Sequence, residues 1–398
     1  MSTDATSPAT TVRQGPLAGM RVMDVSIMAA GPWTAALLGM LGAEVIKVEP
    51  PAGDGTRWVA PTQRGMGTNF MSMNVNKKDV VLDFKKAEDR ATALELAATC
   101  DIFVQNFRVG VIERLGLDYA SLRKVNPNII YCAISGFGET GPLAKAGCAD
   151  YIMQAYSGFA RLNGAPGETL EAFRFTGFLD LTTASVATEA VLAALLEREL
   201  GGEGQKVEVS MLEAAMEIEA TRIAEYLGGG LIPQPRGSES PGIVPDRAFA
   251  TLDSEVFVTA HNDAEFVCFC RALEHPQLAA DPRFKTNRLR VEHRAALFAE
   301  VAPLFKLRPA LWWQRVMQRE GVACTQGFSF ETFRHHQQVV MNEMIANLAT
   351  RDWGTVSVAG TPWHFSQTPC AVREPPRPGE DTAAVLADLA ARKAKAGT

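Results

Sequence analysis

Between residues 21 and 135 short β-branched runs alternate with stretches of helical periodicity, and no other feature of the sequence restricts the fold as strongly. Residues 22–26, 44–48, 80–84, 102–106 and 129–134 read as strands, and 32–41 and 86–99 as helices. Strand, helix and strand in that order make a βαβ unit, and a series of such units builds a parallel sheet with helices on its faces. Ligands of these sheets bind beyond the carboxyl ends of the strands. Three polar signals fall there: residues 24–32 after the first strand, Arg57 after the second, and Asn106-Phe107-Arg108 after the fourth. The alternation predicts an α/β fold with one crevice shared by these loops.

Further along, a long helix is expected over 182–200, stopped by Gly201-Gly202, with Asp180 just ahead of it. A strand at 206–211 and a helical stretch to Leu227 follow. Composition then changes. Residues 228–245 carry Gly228-Gly229-Gly230, Pro233, Pro235, Pro241 and Pro245, which read as a linker. A second unit is expected over 246–335, with a hairpin-like stretch at 248–260 and several helices. Residues 336–398 return to strand-like and Pro-rich segments before a last helix over 382–395.

A chain of 398 residues suits two to three domains at roughly 150 residues each. Its 39 basic and 45 acidic residues leave a net charge of −6, and no Lys/Arg-rich run offers a polyanion footprint, so no nucleic-acid partner is expected. Uninterrupted apolar runs such as 191–196 fall far short of the ~18 residues of a membrane span, so no membrane crossing is expected. Residues 1–15 lack the apolar core of a signal peptide and read as a disordered leader. Seven scattered cysteines, an odd count, fit reduced thiols in the cytoplasm better than a disulfide framework. The one close pair, Cys268 and Cys270, lies at i and i+2 of an expected helix and points to different faces, so no metal site is expected.

The chain has no G-x-S-x-G, P-loop or H-E-x-x-H, and no G-x-G-x-x-G follows its first strand, which counts against NAD and ATP chemistry. The first βα turn reads Ser26-Ile27-Met28-Ala29-Ala30-Gly31-Pro32. Its small residues let a ligand approach the backbone, and a helix opening at Pro32 would present N–H groups to a phosphate. The same residues suit tight packing of helix on sheet. Asp180 has two readings, an N-cap of the long helix or a nucleophilic carboxylate facing the crevice. Asp150 reads as a buried, hydrogen-bonded structural residue. The six histidines do not cluster, and a solvated or capping role is expected of each. Arg57, Lys77, Lys78, Arg108 and Arg114 lie in the early loops; singly each would be a surface charge, and together they suit a polyphosphate handle.

Eight blocks in order carry a resemblance. They are 16–24 (PLAGMRVMD), 41–49 (LGAEVIKVE), 74–78 (NVNKK), Asn106-Phe107-Arg108 with Gly110, Ser135-Gly136-Phe137-Gly138 with Gly141-Pro142, 204–211 (GQKVEVSM), Asp281-Pro282-Arg283-Phe284 and Gly379-Glu380-Asp381-Thr382. In these the chain resembles the family III CoA-transferases, the group that includes formyl-CoA and carnitine CoA-transferases and the α-methylacyl-CoA racemases. The likeness runs from about residue 16 to 390. It implies a Rossmann-like large domain built from both chain ends, a smaller α+β domain over 246–335, and an interlocked homodimer. It places Asp180 on the catalytic aspartate, which attacks an acyl-CoA to give an acyl-aspartyl anhydride and then an aspartyl-CoA thioester. Coenzyme A contacts are implied for Met28, Ala29, Asn106, Phe107, Arg114 and Met211. Acyl-CoA and a small carboxylic acid are the implied substrates, with no permanently bound cofactor and no metal.

The sequence also departs from the family. Where the racemases carry Gly-His-Asp with a proton-transferring His, this chain has Cys148-Ala149-Asp150, and Ala149 cannot move a proton. Racemisation therefore ranks behind transfer, and a non-catalytic CoA-binding paralogue ranks third because Asp180 is present. No glycine-rich run in the small domain matches the closing loop of the formyl-CoA transferases, Pro50 replaces a basic residue that some members use on the CoA phosphate, and Asp246 stands where an aromatic is common. Acceptor specificity is expected from loops 138–149, 161–174 and 234–247, where Arg236 and Arg247 are candidates to pair with a second carboxylate of a dicarboxylic acid.

Overall fold

The computed structural model describes residues 14–167, 170–174 and 177–396, so nearly all of the expected 1–15 leader lies outside the described residues. The described chain divides into two compact units. The first comprises the described residues of Met1–Phe159, Ala172–Leu231 and Gln338–Thr398, and the second those of Ala160–Glu171 and Ile232–Gln337.

The first unit holds a six-stranded parallel sheet. Its strands are β1 (Arg21–Asp24), β2 (Glu44–Glu49), β5 (Lys77–Val81), β6 (Ile102–Gln105), β7 (Ile130–Ser135) and β8 (Lys206–Ser210); the short hairpin of β3 (Thr62–Gln63) and β4 (Met66–Gly67) stands apart from it. The order is β5-β2-β1-β6-β7-β8. From β1 the chain builds outward to β2 and β5, then returns to lay β6, β7 and β8 on the other side. Strand order thus reverses between β1 and β6, the switch point at which such sheets open a crevice.

Both faces of the sheet are buried, which is why its strands read as nearly continuous apolar runs. Because side chains alternate along a strand, Val22, Val45, Ile102 and Ile130 point to one face and Met23, Ile46, Phe103 and Tyr131 to the other. Helices Ala30–Met40 and Phe178–Glu199 cover the first face with Ala35, Leu38, Ala187, Val191 and Leu195. Helices Ala87–Ala97 and Tyr119–Val125 cover the second, and Val385 and Leu389 of helix Thr382–Ala396 complete it. Phe178–Glu199 is long and apolar enough, by length and composition, to cross a membrane, a property that uninterrupted apolar runs did not reveal.

One strand differs from expectation. Residues 80–84 read as a strand, whereas β5 spans Lys77–Val81. The charged half of the strand was not legible because Lys77 and Asp79 are turned into buried ion pairs rather than toward water.

In the second unit, β9 (Asp246–Ala250), β10 (Glu255–Thr259) and β11 (Ala323–Gln326) form an antiparallel sheet in the order β11-β10-β9. Phe249, Phe266, Phe269, Phe305 and Trp313 dominate its core. Phe249 stacks on Phe305 at 4.4 Å between ring centres. A second antiparallel pair, β12 (Ile345–Thr350) and β13 (Gly354–Ala359), belongs to the first unit.

Candidate active site

The turn after β1 is built from beneath by charge. Asp24 ends the strand fully buried and accepts hydrogen bonds from the Ser26 N–H at 2.9 Å and from the Ser26 hydroxyl. Lys77 Nζ lies 2.8 Å from Asp24, and Lys47 Nζ donates to the Ser26 carbonyl at 3.0 Å. Burial alone would raise the Asp24 carboxyl, but Lys77 and Lys47 hold it below its ordinary value. Burial pulls the Lys77 ammonium down to about 8. Above this base the turn is pinned to the neighbouring strand end. The Asn106 side chain accepts from the Ile27 N–H at 2.9 Å and donates to the Ile27 carbonyl at 2.7 Å.

Two backbone features then shape the surface. Met28 sits at φ 68°, in the left-handed region that an ordinary residue enters at a cost of roughly 1–2 kcal/mol, and its side chain is half exposed. Gly31 packs so closely that a Cβ there would fall 2.3 Å from Ser26 Cβ. The alternative left open for these small residues is thus answered in part: at Gly31 tight packing is required, and Met28 and Ala29 face the crevice.

That crevice has a volume of about 490 Å³, and Met28, Ala29, Asn106, Phe107, Asp180 and Met211 all line it. Arg114 stands outside the lining, in helix Val111–Leu115. Cys148 and Ala149, from the expected acceptor loop 138–149, line it too, whereas sequence reasoning did not single out Ser135 or Gly136 as lining residues. The signal for Ser135 and Gly136 was their place at the carboxyl end of β7.

The basic loop residues do not act together. Arg57 is wholly buried between Glu49 at 2.8 Å and Asp79 at 3.1 Å, with its guanidinium 3.6 Å from the centre of the Phe70 ring. Lys77 is paired with Asp24, and Lys78 with Glu44 at 2.6 Å. Arg108 alone of the five lines the crevice, lying over Gly147 and with no carboxylate partner among the described residues. Arg247 is engaged by Glu239 at 3.2 Å, and Arg236 lines a separate cleft with Arg161 and Pro166.

Asp180 is not ahead of its helix but in the first turn of Phe178–Glu199, whose N-cap is Gly177. It is therefore not the cap. That task falls to Asp150: its Oδ2 accepts from the Leu179 N–H at 2.6 Å and the Asp180 N–H at 3.1 Å. The Asp180 carboxylate takes no hydrogen bond from any described side chain. Burial, with the Asp150 charge adding to it, pushes its pKa up to about 7. Cys148, whose Sγ lies 4.0 Å from Met211 Sδ, has its thiol pushed up to about 11, chiefly by burial, and is a poor thiolate nucleophile. Among the described residues no three His, Cys, Asp or Glu side chains gather so as to hold a metal ion.

An unencumbered carboxylate at a helix N-terminus, facing a crevice at the switch point of a parallel sheet, is chemically equipped for nucleophilic attack on an activated acyl group. The family model of CoA-transferase family III matches residues 17–382. Succinate–glutarate CoA-transferase of Agrobacterium fabrum is 34% identical, covering 95% of this chain and 96% of its own. Acetyl-CoA:oxalate CoA-transferase of Acetobacter aceti is also 34% identical, over 78% of this chain and 80% of its own. Of solved structures, a CAIB/BAIF family protein from Brucella suis has a TM-score of 0.85 at 30% identity, covering 95% of this chain and 100% of that one. Sequence and fold agree over nearly the whole length: the chain belongs to CoA-transferase family III.

Proposed function

We propose that this CoA-transferase moves coenzyme A from an acyl-CoA donor to a carboxylic acid by way of covalent intermediates on Asp180. The observation that carries the reading is the Asp180 carboxylate itself, which lines the crevice beside Met211 and the β1 turn and takes no hydrogen bond from any described side chain. An Asp180 oxygen attacks the thioester carbonyl, the C–S bond breaks, and CoA leaves as thiolate. The thiolate then attacks the aspartyl carbonyl of the anhydride and releases the donor acid. The acceptor carboxylate attacks the aspartyl-CoA thioester, and the freed thiolate resolves the second anhydride to product. Each step hands one negative charge from nucleophile to leaving group, so no proton need move. A half-buried crevice shields the anhydrides from water.

Met28, Ala29, Asn106 and Phe107 are assigned to coenzyme A, and Met211 to the thioester end. Arg108, which lines the crevice with no carboxylate partner among the described residues, is assigned to its phosphates; Arg114 is retained as a phosphate contact. A dicarboxylic acid is the favoured acceptor, because the relatives' names include succinate with glutarate, and oxalate. A homodimer is included in the reading: Tyr226, Leu227 and Leu231 leave an apolar strip exposed on the first unit, as a second copy of the chain would cover. Ala149 in the crevice supports transfer over racemisation, since it offers no proton-transfer group.

The test is a panel of donors, succinyl-CoA and acetyl-CoA among them, against mono- and dicarboxylic acids. Transfer to a dicarboxylic acid that fails with Asp180→Ala is expected. Isotope exchange at the α-carbon of the donor in D2O, without any acceptor, would instead point to racemisation.

A further inference from the structure

We infer that Asp150 is a positioning residue that aims Asp180 and, by its own negative charge, drives the free carboxylate toward its acylated forms; the inference rests on the reading of Asp180 as nucleophile. The two helices involved both lack a side-chain cap of their own. Helix Asp150–Ser157 starts after Ala149 and helix Phe178–Glu199 after Gly177. Asp150 reaches from the first turn of one to the N-terminus of the other, where a single oxygen accepts from the Leu179 and Asp180 N–H groups. This fixes the backbone of the nucleophile from a different element.

Asp150 is itself held. Its other oxygen accepts from Gln154 Nε2, and Gln154, with no exposure to solvent, is locked in turn by Phe173: its Oε1 accepts the Phe173 N–H at 2.7 Å and its Nε2 donates to the Phe173 carbonyl at 3.0 Å. The Gln154 amide therefore cannot turn over without losing both backbone bonds. The groups facing Asp150 are all donors, the Leu179 and Asp180 N–H groups and Gln154 Nε2, which match the acceptor-only oxygens of a carboxylate.

A fixed charge beside Asp180 raises the free energy of its carboxylate. Once Asp180 is an anhydride or a thioester, its charge has left on the thiolate or the departing acid and the repulsion is gone. The same interaction energy therefore appears twice, as a raised ionisation point for Asp180 and as an acylation equilibrium displaced toward the covalent forms. The other titratable or charged groups facing Asp180 across the crevice are Arg108 and Cys148; α-helix Met211–Ile218 presents the uncharged Met211.

The test compares wild type with Asp150→Asn and Asp150→Glu. In wild type the acid limb of kcat/KM should fall near pH 7, the value to which Asp180 is raised, and acyl-CoA with hydroxylamine should give a hydroxamate at Asp180. Asp150→Asn should move that limb to lower pH and lower the trapped fraction at subsaturating donor, by about tenfold for each pH unit of movement. Asp150→Glu keeps the charge but displaces the cap, so its limb should stay near pH 7 while kcat falls. A limb that stays fixed in Asp150→Asn despite lost activity would overturn the electrostatic role. If Asp150→Asn does not fold, Asp150→Glu decides: wild-type kcat there would overturn the positioning role. Absence of the Asp180 hydroxamate in wild type would instead overturn the nucleophile assignment, a separate failure.

Discussion

Lys77 Nζ lies 2.8 Å from Asp24 Oδ2, with neither side chain reached by solvent, directly below the turn that opens the crevice. Lys77 also donates to the Pro32 carbonyl at 2.7 Å and to Asn74 at 2.9 Å, so its three protons are all used. A buried pair contributes little net stability when complete, but loss of one member leaves the other charged and alone. Lys77→Met should destabilise the fold by about 3–5 kcal/mol. The urea midpoint reads this directly, and a midpoint within error of wild type would mean that Asp24 finds water or another cation.

Gly31→Ala should disturb the crevice from its floor. The new Cβ would meet Ser26 Cβ at 2.3 Å and Ser26 Oγ at 2.5 Å, while Ser26 is itself fixed by Asp24. The expected cost is about 1–3 kcal/mol in stability, together with a raised KM for acyl-CoA. An unchanged KM would show that the turn after β1 can move without consequence for the ligand.

Asp180 carries its own stability signature. Its pKa in the folded protein is about 7 against an ordinary 3.8, so between those limits the folded chain holds a proton that the unfolded chain has lost. The stability associated with that proton is fully present at acid pH and is lost as pH rises to about 7. Asp180→Asn removes the dependence. Its stability relative to wild type should climb from pH 4 to pH 7 and then stay level, with a gain of roughly 3–4 kcal/mol. Thermal melts across that range check it; a difference that does not vary with pH would contradict the raised pKa.

Arg108→Gln should separate phosphate recognition from chemistry. Loss of one charge-assisted contact is expected to raise KM for acyl-CoA by roughly tenfold or more. The KM for the corresponding acyl-pantetheine, which lacks the phosphates, should not change. Equal losses with both donors would place Arg108 elsewhere than on the phosphates.

The order of strands and helices was legible because apolar alternation over residues 21–135 is a local signal, and helix Ala30–Met40 and β2, β6 and β7 fall where periodicity puts them to within about two residues. The charged residues were legible only in part, because their partners come from other strands. Arg57 reads as a loop cation until Glu49 and Asp79 close around it, and Lys77 reads as a loop residue until Asp24 is seen opposite. Asp180 shows the same limit. Its neighbours in sequence left it between a cap and a nucleophile, and only the family resemblance implied the latter; its place in the first helical turn was not legible, since the cap of that helix comes from Asp150, thirty residues earlier. Asp150 in turn read as a structural residue, which its hydrogen bonds bear out, but nothing local linked it to Asp180.

On the proposed mechanism Asp180 carries the group being transferred. Incubation with acyl-CoA and hydroxylamine, followed by peptide mass spectrometry, measures this. An aspartyl hydroxamate at Asp180 that requires acyl-CoA and is absent from Asp180→Asn is expected. Steady transfer of CoA to an acceptor acid with Asp180 unmodified under those conditions would contradict it.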